Sequence, residues 1–112
     1  MRLDITWRNC DPSETLAQRA EKKINHVARH LREPIHAHLV LTHQKDHFVA
    51  DLVVSGGGDE PFTTRETNEG AYAVVDAVME KMERGVKRHK EKAQDRARHP
   101  GADFQERRSS EF

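Results

Sequence analysis

The chain predicts an α+β fold, a two-layer sandwich in which two helices pack on one face of a four-stranded sheet. Three observations carry that prediction. Several short stretches place apolar residues at every second position, two longer stretches place them at steps of three and four, and the elements follow in the order β-α-β-β-β-α. Two amphipathic helices of similar length hide their apolar faces only against the sheet, which leaves its other face wet.

Leu3, Ile5 and Trp7 alternate with Arg2, Asp4, Thr6 and Arg8, so the first strand is expected over residues 2–8. Asp11-Pro12-Ser13-Glu14 reads as a helix start, with Asp11 as N-cap, Pro12 at the first helical position and Glu14 closing a capping box. Leu16, Ala20, Ile24, Val27 and Leu31 give that helix its apolar face, and it is expected to end near Arg32, because Glu33 precedes Pro34 and is pushed out of the helical region. Ile35, Ala37, Leu39 and Leu41 form the second strand, His43 to His47 a polar turn, and Phe48, Ala50, Leu52 and Val54 the returning arm. The glycines and Pro61 between Ser55 and Pro61 make a loop, a short fourth strand covers Phe62 to Glu66, and Thr67 or Asn68 caps the second helix. If the first two strands are parallel neighbours, the first helix is their right-handed crossover.

That second helix organises the functional argument. Tyr72, Val75, Met79, Met82 and Val86 line one face, where core packing is the expected role of Tyr72 rather than base stacking. Lys81, Arg84, Arg88 and Lys92 fall close together nearly opposite, as a basic ridge. Basic residues continue past Val86, so the helix is expected to project beyond the body. Glu80 with Arg84 and Glu83 with Lys87 have the spacing of ordinary i,i+4 pairs. Even so, residues 81–98 hold eight Lys or Arg against three acidic residues, a net of +5 in a chain of formal charge zero. A neutral protein with so positive an end is built to meet an anion.

Composition bounds the rest. A chain of 112 residues, 35% apolar and 34% charged, supports one core, expected over residues 1–98 with a flexible tail over 99–112. Cys10 stands alone, so no internal disulfide forms. No positively charged start followed by an apolar run appears and no apolar stretch reaches membrane-spanning length, so neither a signal peptide nor a membrane span is expected, and the expected location is cytoplasmic.

Particular residues add a resemblance. Leu3-Asp4-Ile5-Thr6, Phe48-Val49-Ala50-Asp51, Tyr72-Ala73-Val74-Val75-Asp76, Lys81-Met82-Glu83-Arg84 and Lys87-Arg88-His89-Lys90-Glu91-Lys92 stand in register over about residues 1 to 95. Together they resemble the ribosome hibernation factor family: the short hibernation-promoting factors and protein Y, or ribosome-associated inhibitor A, also called sigma-54 modulation proteins. The resemblance implies a fold like that of double-stranded-RNA-binding domains. It implies a translation inhibitor that binds 16S rRNA in the mRNA–tRNA channel of the 30S subunit, within the 70S ribosome, in stationary phase or stress. It also implies rRNA-binding positions at Lys22, Lys23 and Arg29 on the first helix and Lys81, Arg84, Lys87, Arg88, Lys90 and Lys92 on the second. The chain departs from the family pattern at Gly70, where an acidic residue is usual, and at Gly85, where glutamine is common. Ending at Phe112, it reads as a short form without the family's further dimerisation domain, and as a monomer away from the ribosome.

An enzyme is not the expected reading. His26 with His30 and His36 with His38 share faces, but a metal site needs three or four convergent ligands and Cys10 is the sole thiolate candidate, so neither metal nor cofactor is expected. No base is discernible at a characteristic spacing from Cys10, and nothing points to a small-molecule substrate or a membrane partner. The competing reading is a protein-binding module, such as one modulating sigma-54, that docks a peptide on the wet sheet face or its edges.

Overall fold

The computed structural model describes residues 1–58 and 60–98, with side chains through Lys92. The elements are β1 (Arg2–Arg8), α1 (Glu14–Ala28), β2 (Ile35–Gln44), β3 (His47–Gly56), β4 (Phe62–Asn68) and α2 (Ala71–Arg98), in the expected order. The expected tail, residues 99–112, lies outside the described residues.

The sheet runs β1-β2-β3-β4, with β1 parallel to β2 and the other pairs antiparallel. Register aligns the alternation of all four strands. Ile5, Leu39, Leu52 and Thr64 form one cross-strand row, flanked by Trp7, Leu41, Ala50, Glu66 on one side and Leu3, Ala37, Val54, Phe62 on the other. This face meets Leu16, Ala20, Ile24 and Val27 of α1 and Val74, Val75, Val78, Met79, Met82 and Val86 of α2 in one hydrophobic core. Among the described residues none that is polar or charged is buried, so apolar contact dominates the cohesion of the fold.

Local chemistry moves several boundaries. Ser13, not Asp11, caps α1: its Oγ accepts the Leu16 N–H at 3.2 Å, so Pro12 lies outside the helix and Glu14 is its first residue. The helix ends at Ala28 rather than near Arg32. His30 and Leu31 donate to the Val27 and Ala28 carbonyls at 3.0 and 3.1 Å, tight-turn bonds that still hold Leu31 against the core. The five-residue turn expected between β2 and β3 shrinks to Lys45 and Asp46, with Lys45 at φ 53°, because Gln44 and His47 pair. β4 extends to Asn68, whose side chain accepts the Gly70 N–H at 3.0 Å just before α2; Thr67 remains in the strand.

Gly57 marks a tight corner. Its φ is +52°, and a β-carbon there would stand 2.8 Å from the Arg32 Cβ, so the turn after β3 closes on the α1–β2 connection only with glycine.

Candidate nucleic-acid interface

The largest rearrangement of the sequence picture concerns the face that α2 buries. Val74 and Val78 are fully buried, whereas Tyr72 is 45% exposed. Tyr72 is therefore not a core residue. At roughly 100° per residue, exchanging it for those valines rotates the buried arc by about 40°. The basic ridge consequently lies beside the core face, overhanging β4, rather than opposite it. Lys81, Arg84 and Arg88 line a groove of about 340 Å³ together with Phe62, Thr63 and Thr64 of β4 and Met82 and Gly85 of α2.

The two flanks of α2 differ in how their charge is used. On the α1 side, Arg19 donates through Nε and Nη2 to the two Asp76 oxygens at 2.8 and 2.7 Å. Lys23 stands 4.0 Å from Glu80, and His30 stands 3.4 Å from Glu83. The Arg19 hydrogen bonds hold the Asp76 carboxyl below the usual aspartate range, and Asp76 raises Arg19 in return. Asp76 and Glu80 thus turn to the neighbouring helix and Glu83 to the turn that follows it, and the expected pairs Glu80–Arg84 and Glu83–Lys87 do not form. Arg84, Lys87 and Arg88 are exposed and have no ion-pair partner among the described residues.

The remaining expected positions fall into distinct settings. Lys81 is exposed but engaged: its Nζ lies 3.3 Å from Glu66 and donates to the Arg65 carbonyl at 3.5 Å. Glu66 is on the helix-side face of an edge strand, which is why a lysine overhanging that edge reaches it. Lys22 is exposed, and Lys22 and Lys23 border a shallow depression with Arg19 and His26. Arg29 donates through Nη2 to His26 Nδ1 at 2.8 Å. Lys90 lines a second groove with His30, Arg32, Phe62, Val86 and His89, where the His89 ring meets Phe62 edge-on at 5.3 Å. Lys92 is half-buried. The helix continues to Arg98, twelve residues past Val86, the last buried side chain among those described, a reach of roughly 18 Å at 1.5 Å per residue.

Arg19 and Arg32 were not among the expected positions. Arg19 and Asp76 are 57 positions apart, a separation across which local spacing carries no signal. Among the described residues no group of three His, Cys, Asp or Glu side chains converges to hold a metal. Cys10 is half-buried and donates to the Leu41 carbonyl at 3.6 Å, and His36 and His38 lie on the outer sheet face, 2.7 Å from Asp4 and 2.8 Å from Thr6. No described helix is long and apolar enough to cross a membrane. What the helix layer can do chemically is hold anions, with arginine forks for bidentate contact and lysines as point charges.

These features define a class: a small α+β domain whose helix layer exposes a cluster of cations beside its edge strand. The chain belongs to the family described as Sigma 54 modulation protein / S30EA ribosomal protein, whose profile matches residues 3–94. Curated relatives agree. The chain is 26% identical over 92 residues to the ribosome hibernation promoting factors of Azotobacter vinelandii and Salmonella typhimurium (strain LT2), covering 82% of this chain and 85% and 96% of theirs. Among solved structures, the protein Y N-terminal domain of Thermus thermophilus superposes with a TM-score of 0.69 at 25% identity, over 79% of this chain and 94% of that one. A ribosomal subunit interface protein of Coxiella burnetii shares the fold, with a TM-score of 0.67 at 23% identity over 80% of this chain and 98% of its own. The resemblance to the ribosome hibernation factor family, drawn from the residue runs above, therefore holds.

Proposed function

We propose that this chain is a ribosome hibernation factor: residues 1–98 bind 16S rRNA in the mRNA–tRNA channel of the 30S subunit, alone or within the 70S ribosome, and block translation in stationary phase or stress. It acts in the cytoplasm, as a monomer away from the ribosome, by occupying the channel; no bond is made or broken. The observation that carries the reading is the β4-side flank of α2, where Arg84 and Arg88 stand without acidic partners among the described residues beside a groove open to solvent. Each phosphate that such a cation neutralises releases condensed counterions, which gives affinity without base reading. Lys81, Lys87, Lys90 and Lys92 extend the contact along α2, and Lys22, Lys23 and Arg29 supply it on α1.

The sheet face favours a protein partner less. There Asp4 meets His36 at 2.7 Å, Arg65 meets Asp51 at 3.1 Å and Thr6 lies 2.8 Å from His38, so its polar groups are largely satisfied from within.

Co-sedimentation with purified small subunits tests the reading. Wild type is expected to bind stoichiometrically, and the variant with Lys81, Arg84, Arg88 and Lys92 all changed to glutamine is expected to stay in the supernatant while remaining folded. A wild type that fails to pellet with subunits overturns the proposal. Occlusion is tested by competition with initiator transfer RNA: full simultaneous occupancy by both would sink it.

A further inference from the structure

Tyr72 is a large side chain left outside the core at the start of a helix that buries six others. Its hydroxyl makes no hydrogen bond among the described residues, and one face of its ring carries the Arg19 guanidinium, 5.6 Å from the ring centroid. That guanidinium is not free to swing. Its fork is fixed on Asp76 by bonds of 2.8 and 2.7 Å, which orient the plane while leaving the side chain 45% exposed. The fork alone suffices to tie the helices together, so holding Arg19 does not require an aromatic ring at position 72. Beside the pair, Lys22, Lys23 and His26 border a shallow depression whose fourth wall is Arg19 itself.

From this geometry we infer that Arg19 and Tyr72 form a stacking ledge for an unpaired nucleobase, with Lys22 and Lys23 receiving the phosphates on either side of it. The inference deepens the proposed function, on which it rests, by naming a second contact and the kind of RNA it takes: a single-stranded or bulged segment rather than a continuous duplex. Unstacked bases are recognised by aromatic rings and by arginine planes, and a guanidinium pre-set by a carboxylate loses little freedom when a base settles on it. The ledge and the α2–β4 groove lie on opposite flanks of α2. The protein therefore grips backbone on one side and a splayed base on the other.

Fluorescence anisotropy with a short labelled unstructured RNA, and with the same sugar-phosphate chain lacking its bases, separates stacking from charge. Wild type is expected to bind the base-bearing strand about tenfold more tightly than the abasic one. Tyr72→Phe should keep that preference, Tyr72→Ala should abolish it while leaving abasic binding unchanged, and Arg19→Lys should weaken it at constant charge. Equal binding of the two strands by wild type, no binding of either at low salt, a preference that survives Tyr72→Ala, or one that is lost in Tyr72→Phe overturns the inference. Co-sedimentation of the same wild-type preparation with small subunits keeps the two questions apart, since stoichiometric pelleting without base preference removes the ledge and leaves the ribosomal reading intact.

Discussion

The two flanks of α2 carry opposite charges to opposite ends. Towards α1 the helix presents Asp76 and Glu80, facing Arg19 and Lys23 of that helix at 2.7 and 4.0 Å, and Glu83, facing His30 in the turn that follows it at 3.4 Å. Towards β4 it presents Lys81, Arg84 and Arg88 along a groove, with Lys81 alone reaching a carboxylate. One flank uses its acids to hold the helix layer together; the other leaves Arg84 and Arg88 in water. The difference shows that the charge balance of a helix says little until each residue's neighbour is known. Internal i,i+4 pairs Glu80–Arg84 and Glu83–Lys87 would quench part of the ridge, whereas here Glu80 and Glu83 are spent across the seam and Arg84 and Arg88 are left in reserve.

The comparison breaks most completely at Met82, which is 2% exposed and anchors the helix from which both flanks project. Met82→Ala is expected to cost about 2–5 kcal/mol and to remove RNA binding with stability, as urea unfolding alongside subunit binding would show. Arg84→Gln with Arg88→Gln should separate the flanks instead. Stability should stay within about 0.5 kcal/mol, while the slope of log affinity for small subunits against log salt falls by about two. An unchanged slope would mean that these arginines meet no phosphate.

Asp76→Asn probes the other flank. Loss of the fork is expected to cost about 0.5–1 kcal/mol near neutral pH, measured by thermal or urea unfolding, with the two solvent-facing partners limiting the effect. Its pH dependence has a defined sign. The folded-state pKa of Asp76 is depressed, so its stabilisation is fully present above the ordinary aspartate value of about 4 and disappears as pH falls through the depressed one. The variant should therefore lose less stability on acidification than wild type. Asp4 and Asp46, lowered by hydrogen bonds from His36 and His47, keep part of that acid limb in both proteins.

Gly85→Ala is expected to give the smallest change. A β-carbon there meets nothing within 4 Å, so the substitution should stabilise the helix by about 0.5–1 kcal/mol in the same unfolding assay. Because Gly85 lines the groove, subunit binding by this variant reports whether phosphate needs the space above it.

The sequence by itself determined the elements, their order and nearly all of the core. Alternation in Ile35–Leu41 and Ala50–Val54 and the four-step repeat of Leu16, Ala20 and Ile24 are properties of the backbone period, legible without any partner. It also determined that residues 81–98 are basic, since charge is additive along a chain. Boundaries were less legible because rival caps are close in strength: Asp11 and Ser13 are both good N-caps, and the hydrogen bond to Leu16 is what selects Ser13. Only the tertiary structure decided where α2 turns its faces. Tyr72 and Val74 both suit a periodic apolar stripe, and the choice of Val74 depends on how α1 and the sheet meet the helix. The rotation that followed set the basic ridge over β4, turned Glu80 to α1 and Glu83 to the turn after it, and brought Arg19 over Tyr72. Such pairings join residues tens of positions apart, and their energies depend on distances that exist only once the chain is packed.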